Sequence, residues 1–132
     1  MTIDDCIGVV GAGSWGTTLA KVLGDNGKRT LLWARREAVC REINETRQNS
    51  QYLPGFSLGD SVEATSDLER ICKSASLIIA VVPSHTMRET ARELGNHLTG
   101  EHVVVHATKG IEQGSFKRMS EVLREETCLR KI

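Results

Sequence analysis

Short apolar runs alternate along this chain with longer segments in which apolar residues recur at helical spacing. Five of the short runs predict buried strands, at 6–10, 29–34, 61–65, 76–82 and 102–107. The segment after each strand predicts a helix, and these lie at 14–27, 35–46, 66–72, 84–98 and 115–126. Because the strand runs are nearly continuous, both faces of the sheet should be covered. The pattern therefore predicts an α/β fold, a doubly wound and mostly parallel sheet.

Individual positions sharpen these predictions. Val22 is expected on the inward face of the first helix, and Phe116 on the inward face of the last. Ser66, with a glutamate three residues later, has the capping-box pattern that begins a short third helix. Ser84 is expected to be the N-cap of the fourth helix. The segment 47–60 is long, polar and marked by proline and glycine, which is typical of a functional loop.

Composition and charge narrow the classes of function. The 132 residues suit one domain, and 17 Lys and Arg balance 17 Asp and Glu, so neither a nucleic acid nor a membrane surface is an expected partner. The four cysteines are far apart with no zinc-type spacing, which predicts reduced thiols and no metal site. An acidic start and the lack of a long apolar run argue against a signal peptide or a membrane span. A cytoplasmic protein is expected.

The stretch GAGSWG, residues 11–16, joins the first strand to the first helix. In this context Gly11 can make the sharp turn, and Gly13 can let a diphosphate approach the backbone. Gly16 can let the helix pack close to its strand, while the first helical N–H groups face the anion. This Rossmann-like arrangement predicts dinucleotide binding; the alternative is a tight turn with no ligand.

The end of the second strand bears on which dinucleotide binds. An NAD-type site has an acid there to hold the ribose 2′-OH, but Ala34 and Arg35 stand near that position, and Glu37 comes late. Arg35 and Arg36 could clamp a 2′-phosphate. NADP is therefore favoured, and NAD stays open. The alternative is two arginines that simply face solvent.

Ligands of open α/β sheets lie beyond the carboxyl ends of the strands. Lys109, two residues past the fifth strand, could bind a substrate phosphate or hydroxyl or contact the nicotinamide end of the cofactor. Pro83 and Ser84 occupy the equivalent position after the fourth strand. Trp15 could cover the diphosphate. For Lys109 the alternative is an ordinary surface lysine, and for Trp15 it is simple packing.

Five pieces of the chain occur together in one known family. GAGSWGTTLA, LLWARR, YLPG, VVPSH and ATKG resemble the N-terminal part of the bacterial biosynthetic NAD(P)-dependent glycerol-3-phosphate dehydrogenases, over residues 6–126. The resemblance implies that Ser14, Trp15, Arg35 and Arg36 contact the cofactor. It implies that Lys109 contacts both cofactor and substrate. It also places Tyr52, of YLPG, on the cofactor side.

The resemblance further implies a reaction and its setting. Such an enzyme reduces dihydroxyacetone phosphate to sn-glycerol 3-phosphate with NAD(P)H for glycerophospholipid synthesis, as a cytoplasmic homodimer. The family continues with another strand and then a helical substrate domain, which supplies the proton-donating lysine. We therefore expect residues 1–132 to be a truncated NAD(P)-binding domain that contains no catalytic residue and is inactive alone.

Two other readings stay open. One is a nucleotide-sensing Rossmann module without catalysis; the other is the cofactor domain of a related two-domain reductase acting on another small ketone or 2-hydroxy acid. Fold alone does not separate them. Lys109 and the Pro83–Ser84 pair favour an enzyme, because a sensor needs nothing on the substrate side.

Overall fold

One five-stranded parallel sheet organises residues 6–132, the part of the chain that this computed structural model describes. The acidic start that argued against a signal peptide lies mostly outside the described residues. The strands are β1 (Cys6–Val10), β2 (Arg29–Trp33), β3 (Val62–Thr65), β4 (Leu77–Ala80) and β5 (Val103–His106). Their order across the sheet is β3-β2-β1-β4-β5, with every pair parallel. The predicted doubly wound parallel sheet is confirmed.

Helices follow the strands in the predicted alternation. They are α1 (Ser14–Asp25), α2 (Glu37–Thr46), α3 (Leu68–Ser74), α4 (Met87–Gly95) and α5 (Met119–Glu126). A short 3-10 turn, Ser84–Thr86, precedes α4. The first two helices pack on one face of the sheet, and the last three pack on the other. No helix among the described residues is long and apolar enough to cross a membrane.

The side chains of successive strand residues pack into two separate cores, one on each face of the sheet. On β1, Val10 packs with the residues of α3, α4 and α5, while Val9 packs with those of α1 and α2. The expectation of two covered faces is wrong at β5: Val104 is fully buried, but its neighbour Val105 is 49% exposed. The core on that face of the sheet, as described within residues 6–132, includes no residue of β5.

Two predicted core residues lie at the surface. Val22 is 51% exposed, because α1 meets the sheet through the smaller residues Gly16, Thr17 and Ala20. Phe116 is 75% exposed, because α5 begins three residues later and Phe116 occupies a left-handed turn with φ of 59°.

Two predicted caps are also wrong. Asp67, not Ser66, caps α3: its Oδ1 accepts hydrogen bonds from the backbone N–H groups of Glu69 and Arg70. The carboxylate lies one residue nearer to the helix, so the first turn begins at Leu68. Ser84 is part of the 3-10 turn, and no side chain caps that turn.

The predicted loop 47–60 is anchored at its start. Arg47 adopts a left-handed conformation with φ of 61°, and its guanidinium donates to the carbonyl oxygens of Gly59 and Val62. The N–H of Leu58 donates to the carbonyl of Arg47, and the Leu58 side chain is buried. These contacts close the base of the loop between the end of α2 and the first residue of β3.

Candidate functional site

The carboxyl ends of β1, β2, β4 and β5 open into a cleft of about 510 Å³. Every residue that the sequence analysis singled out as a cofactor or substrate contact lines this cleft. These residues are Gly11, Gly13, Ser14, Trp15, Gly16, Arg35, Arg36, Tyr52, Pro83 and Lys109. The glycines thereby share one site with Pro83 and Lys109, which are distant from them in sequence, as the rule for open α/β sheets predicts.

The first wall, residues 11–16, is here called the glycine rim. Gly11 has a φ of +122°, and its N–H donates to the carbonyl of Trp33 over 3.1 Å. A Cβ on Gly16 would lie 1.8 Å from the Gly11 carbonyl oxygen, so the helix can approach the turn this closely only without a side chain. A Cβ on Gly13 would meet no atom within 4 Å. Gly11 and Gly16 are thus required by the fold, whereas Gly13 leaves open space in the cleft.

The glycine rim ends in an uncapped helix N-terminus. Gly13 is the N-cap residue of α1, no side chain caps this end, and the first turn contains no acidic residue. The first N–H groups of a helix have no partner within the helix, and the helix dipole places partial positive charge there. An open glycine beside such N–H groups fits an anion such as a diphosphate.

The floor of the cleft contains two buried polar atoms without partners. Trp33 Nε1, a donor, and Thr90 Oγ1, a donor and acceptor, make no hydrogen bond within residues 6–132. Buried polar groups are nearly always paired in folded proteins.

Arg35 and Arg36 pair with different elements beside the cleft. Arg35 Nη1 lies 3.6 Å from a carboxylate oxygen of Glu93 on α4, and its Cζ lies 5.3 Å from the centre of the Trp33 ring. Arg36 donates to the Gln51 side-chain oxygen over 2.7 Å. Both arginines are exposed, and exposed pairs of this kind contribute little to stability. Either guanidinium can therefore exchange its partner for a phosphate.

The opposite wall, residues 107–112, is here called the lysine rim. Lys109 is exposed at the cleft, between two anchored neighbours. On one side, Thr108 Oγ1 donates to the carbonyl of Val82, two residues past the end of β4, over 2.7 Å. On the other, Gly110 turns the chain with a φ of +112° and leads to Glu112.

Glu112 joins a cluster of charges around Arg88 on α4. Arg88 contacts both Glu112 carboxylate oxygens, at 2.6 and 2.9 Å, and also Glu126 at 2.8 Å and Glu125 at 3.0 Å. The hydrogen bonds from Arg88, with a further one from Ser115, lower the pKa of Glu112 to about 2. Glu112 is therefore ionised at neutral pH, and the lysine rim is tied to α4 and α5.

Several residues of the site were missed by the sequence analysis. Thr86 and Thr90 line the cleft from the start of the fourth helical segment, and Trp33 and Thr108 line it from the ends of strands. For Trp33 and Thr108, the position at the carboxyl end of a predicted strand was the available signal. Their residue types alone carry no signal for a nucleotide site.

Two observations bear on metal and thiol chemistry in the described part of the chain. Within residues 6–132, no three His, Cys, Asp or Glu side chains are grouped as metal ligands would be. Burial raises the pKa of the Cys72 thiol to about 11, so this thiol is protonated and unreactive at neutral pH.

Comparison with known proteins identifies relatives of this chain. A family model described as the N-terminus of NAD-dependent glycerol-3-phosphate dehydrogenase matches residues 6–131. The chain is 50% identical over 119 residues to a protein of Syntrophobacter fumaroxidans, and 44% identical over 120 residues to one of Bacillus thuringiensis. Both are named glycerol-3-phosphate dehydrogenase (NAD(P)+). These matches cover 90% and 91% of this chain but 35% of each relative, so the chain spans about a third of their length.

Solved structures give the same grouping. A crystal structure of glycerol-3-phosphate dehydrogenase from Coxiella burnetii superposes with a TM-score of 0.86 at 30% identity, covering 92% of this chain and 37% of that one. A ketopantoate reductase from Ralstonia eutropha superposes with a TM-score of 0.71 at 21% identity, covering 94% and 39%, and shares the fold alone. The family match across residues 6–131, the two sequence relatives and the C. burnetii structure agree: this chain belongs to the NAD-dependent glycerol-3-phosphate dehydrogenase N-terminal family.

Proposed function

We propose that residues 1–132 form the NAD(P)-binding domain of an oxidoreductase that interconverts dihydroxyacetone phosphate and sn-glycerol 3-phosphate. The family match and the names of the relatives support the reaction. The observation that carries the cofactor assignment is the open space at Gly13 beside an uncapped helix N-terminus. We further propose the setting implied by the family resemblance: a cytoplasmic homodimer that supplies glycerophospholipid synthesis.

The residues of the cleft fit a dinucleotide from one end to the other. Gly13, Ser14 and Trp15 would receive the diphosphate at the start of α1. Arg35 and Arg36 would hold the adenosine end and, in NADP, its 2′-phosphate. Tyr52 and Pro83 would contact the cofactor from the loop 47–60 and from the end of β4.

Lys109 would bind substrate at the end of the cleft where the nicotinamide reacts. When bound, NAD(P)H supplies the hydride that reduces a ketone. An ammonium group at the lysine rim can hold a substrate phosphate or hydroxyl, and the tethers at Thr108 and Glu112 hold its backbone in place. Holding the substrate in a fixed orientation in this way raises the rate of the reaction.

Reduction of a ketone also needs a proton donor and a grip on the substrate phosphate. The family resemblance assigns both to a helical domain, and this chain spans 35% of the length of its sequence relatives. We therefore propose that the chain alone binds the cofactor and does not turn over substrate.

Calorimetric titration with NADPH and NADH tests the binding half of this proposal. Heat of binding is expected with at least one of the two, and its absence with both would refute the cofactor assignment. Incubation with NADPH and dihydroxyacetone phosphate tests the other half. Robust oxidation of NADPH by the chain alone would show that the proton donor lies within residues 1–132.

The choice of cofactor is tested by replacing Arg35 and Arg36 together with alanine. Because hydrogen bonds to charged groups contribute about 1.5–3 kcal/mol, NADPH binding should weaken by about tenfold or more, with NADH changed much less. Arg29→Ala with Arg41→Ala removes the same charge outside the cleft and is the matched control. Equal losses of NADPH and NADH would argue against a 2′-phosphate clamp.

A further inference from the structure

Asn49, in the loop 47–60, reaches the backbone of the glycine rim. Its side chain is 1% exposed, and its Nδ2 donates to the carbonyl oxygen of Ala12 over 3.0 Å and to Thr17 Oγ1 over 2.9 Å. Ala12 stands between Gly11 and Gly13, and Thr17 lies in the first turn of α1. A loop residue 37 positions along the chain thus contacts the turn to which the diphosphate is assigned.

The orientation of this amide follows from its partner. A carbonyl oxygen only accepts hydrogen bonds, so the Asn49 atom that faces Ala12 must be the nitrogen. The other amide atom, Asn49 Oδ1, is buried and has no hydrogen-bond partner within residues 6–132. A buried acceptor without a partner costs free energy. Stability alone therefore does not account for an asparagine at this position.

The contact with Ala12 fixes the orientation of a peptide group. In a planar trans peptide, the carbonyl and the following N–H point in opposite directions. No cis peptide occurs in the described chain. When Asn49 holds the Ala12 carbonyl, the Gly13 N–H must therefore point away from Asn49. Gly13 lines the cleft, so this N–H is available to an anion there.

Asn49 is itself held firmly. Its backbone carbonyl accepts from the N–H of Leu53 over 2.8 Å. The next residue, Ser50, donates from both its N–H and its hydroxyl to the Glu42 carboxylate on α2, each over 2.7 Å. A continuous set of hydrogen bonds thus runs from α2 through the loop to the glycine rim.

We propose that Asn49 is a positioning residue for the cofactor diphosphate. It acts through the Ala12–Gly13 peptide and fixes the Gly13 N–H toward the cleft. This inference rests on the proposed function, because it assumes that the glycine rim receives a diphosphate.

The test compares Asn49→Asp with Asn44→Asp. Asn44, on α2, also binds backbone groups through its side chain: its Nδ2 donates to the Ala64 carbonyl, and its Oδ1 accepts from the Ala64 N–H. It does not line the cleft, so it is a matched control for loss of a side-chain tether. Asn49→Asp removes the donor and places an oxygen against the Ala12 carbonyl. NADPH binding should weaken by about tenfold in Asn49→Asp and by less than about twofold in Asn44→Asp.

Two readouts separate positioning from a general loss of stability. Adenosine 2′-phosphate carries the phosphorylated ribose without the diphosphate, so Asn49→Asp should bind it as the unmodified chain does. Hydrogen exchange of the amides in residues 12–16 should accelerate in Asn49→Asp and stay unchanged in Asn44→Asp. If Asn49→Asp does not fold, Asn49→Ser replaces it, because the shorter side chain cannot reach Ala12.

The outcomes distinguish this inference from the proposed function. If the unmodified chain binds neither NADPH nor NADH, the proposed function fails. If the chain binds NADPH and the Asn49 variants bind it equally well, the inference alone is overturned. Equal effects of the Asn44 and Asn49 substitutions on NADPH affinity, or unchanged exchange at residues 12–16, would also overturn it.

Discussion

The two rims of the cleft are held in place by different kinds of contact. The glycine rim is fixed by backbone geometry: Gly11 adopts a φ of +122°, and Gly16 approaches it too closely for any Cβ. The lysine rim is fixed by side chains, through the hydroxyl of Thr108 and the ion pairs between Glu112 and Arg88. One rim depends on steric exclusion and the other on charge.

This difference determines how each rim responds to change. A closely packed turn does not tolerate a larger side chain, because a single added methyl group forces the backbone to move. The loss of an ion pair near the surface has a smaller effect, because salt screens the pair and neighbouring charges partly replace the lost partner. Substitutions at the glycine rim should therefore cause a large loss of folding stability or of cofactor affinity. Substitutions at the lysine rim should cause smaller, graded losses.

The largest effect is expected from Gly16→Ala. Alanine normally stabilises a helix interior by about 1 kcal/mol relative to glycine. Here its Cβ would lie 1.8 Å from the Gly11 carbonyl oxygen, so we expect a net loss of about 3 kcal/mol in the free energy of unfolding. Urea denaturation followed by circular dichroism measures it. A variant as stable as the unmodified chain would show that the glycine rim is not sterically determined.

Gly13→Ala should separate binding from folding. Gly13 has a φ of −73°, which alanine adopts readily, and its Cβ would meet no atom within 4 Å, so stability should change by less than about 0.5 kcal/mol. NADPH affinity should fall by about tenfold or more, because the methyl group occupies the space left for the diphosphate. Calorimetric titration measures the loss.

Gly59→Ala is the matched control for Gly13→Ala. Its φ is not in the left-handed region, its Cβ would have only one neighbour at 4.0 Å, and it lies outside the cleft. It should retain both stability and NADPH affinity. If Gly13→Ala binds NADPH as tightly as Gly59→Ala does, the diphosphate does not approach Gly13.

The smallest effect is expected from Arg88→Met at the lysine rim. Loss of this guanidinium leaves Glu112, Glu125 and Glu126 close together without their shared cation. The amides of residues 107–112 should exchange about tenfold faster, since local opening becomes easier. Hydrogen exchange with mass spectrometry measures this, and the melting temperature should fall by a few degrees.

Arg92→Met is the control for Arg88→Met. Arg92 also lies on α4 and pairs with Glu126, but it makes no contact with Glu112 and is more exposed. Its loss should leave exchange at residues 107–112 unchanged. Equal acceleration in both variants would show that the charge of the surface, rather than the Arg88–Glu112 contact, holds the lysine rim.

The glycine rim could be predicted from the sequence because its causes are local. Gly11 and Gly16 lie five residues apart, and the strand before them and the helix after them have clear apolar patterns. The parallel sheet then determined that Arg35, Pro83 and Lys109 lie on the same side as the glycines. Local spacing and one topological rule were sufficient for these residues, whereas Tyr52 rested on the family resemblance and the tryptophan and threonines of the cleft were missed.

The supporting contacts could not be predicted in the same way. Arg88 lies 24 residues from Glu112, and Asn49 lies 37 residues from Ala12, so neither pair leaves a pattern in the sequence. Val22 and Phe116 were misplaced because apolar spacing does not reveal where a helix begins or how close small residues bring it to a sheet. Pairing between distant side chains requires the folded geometry.

Both tryptophans of the chain line the cleft, Trp15 at the exposed tip of the glycine rim and Trp33 in the buried floor. The tryptophan emission of residues 1–132 therefore arises at the proposed cofactor site. A reduced nicotinamide absorbs where indole emits, so occupancy becomes an optical signal that needs no attached dye. Phenylalanine at position 15 or 33 would then assign that signal to one wall or to the floor.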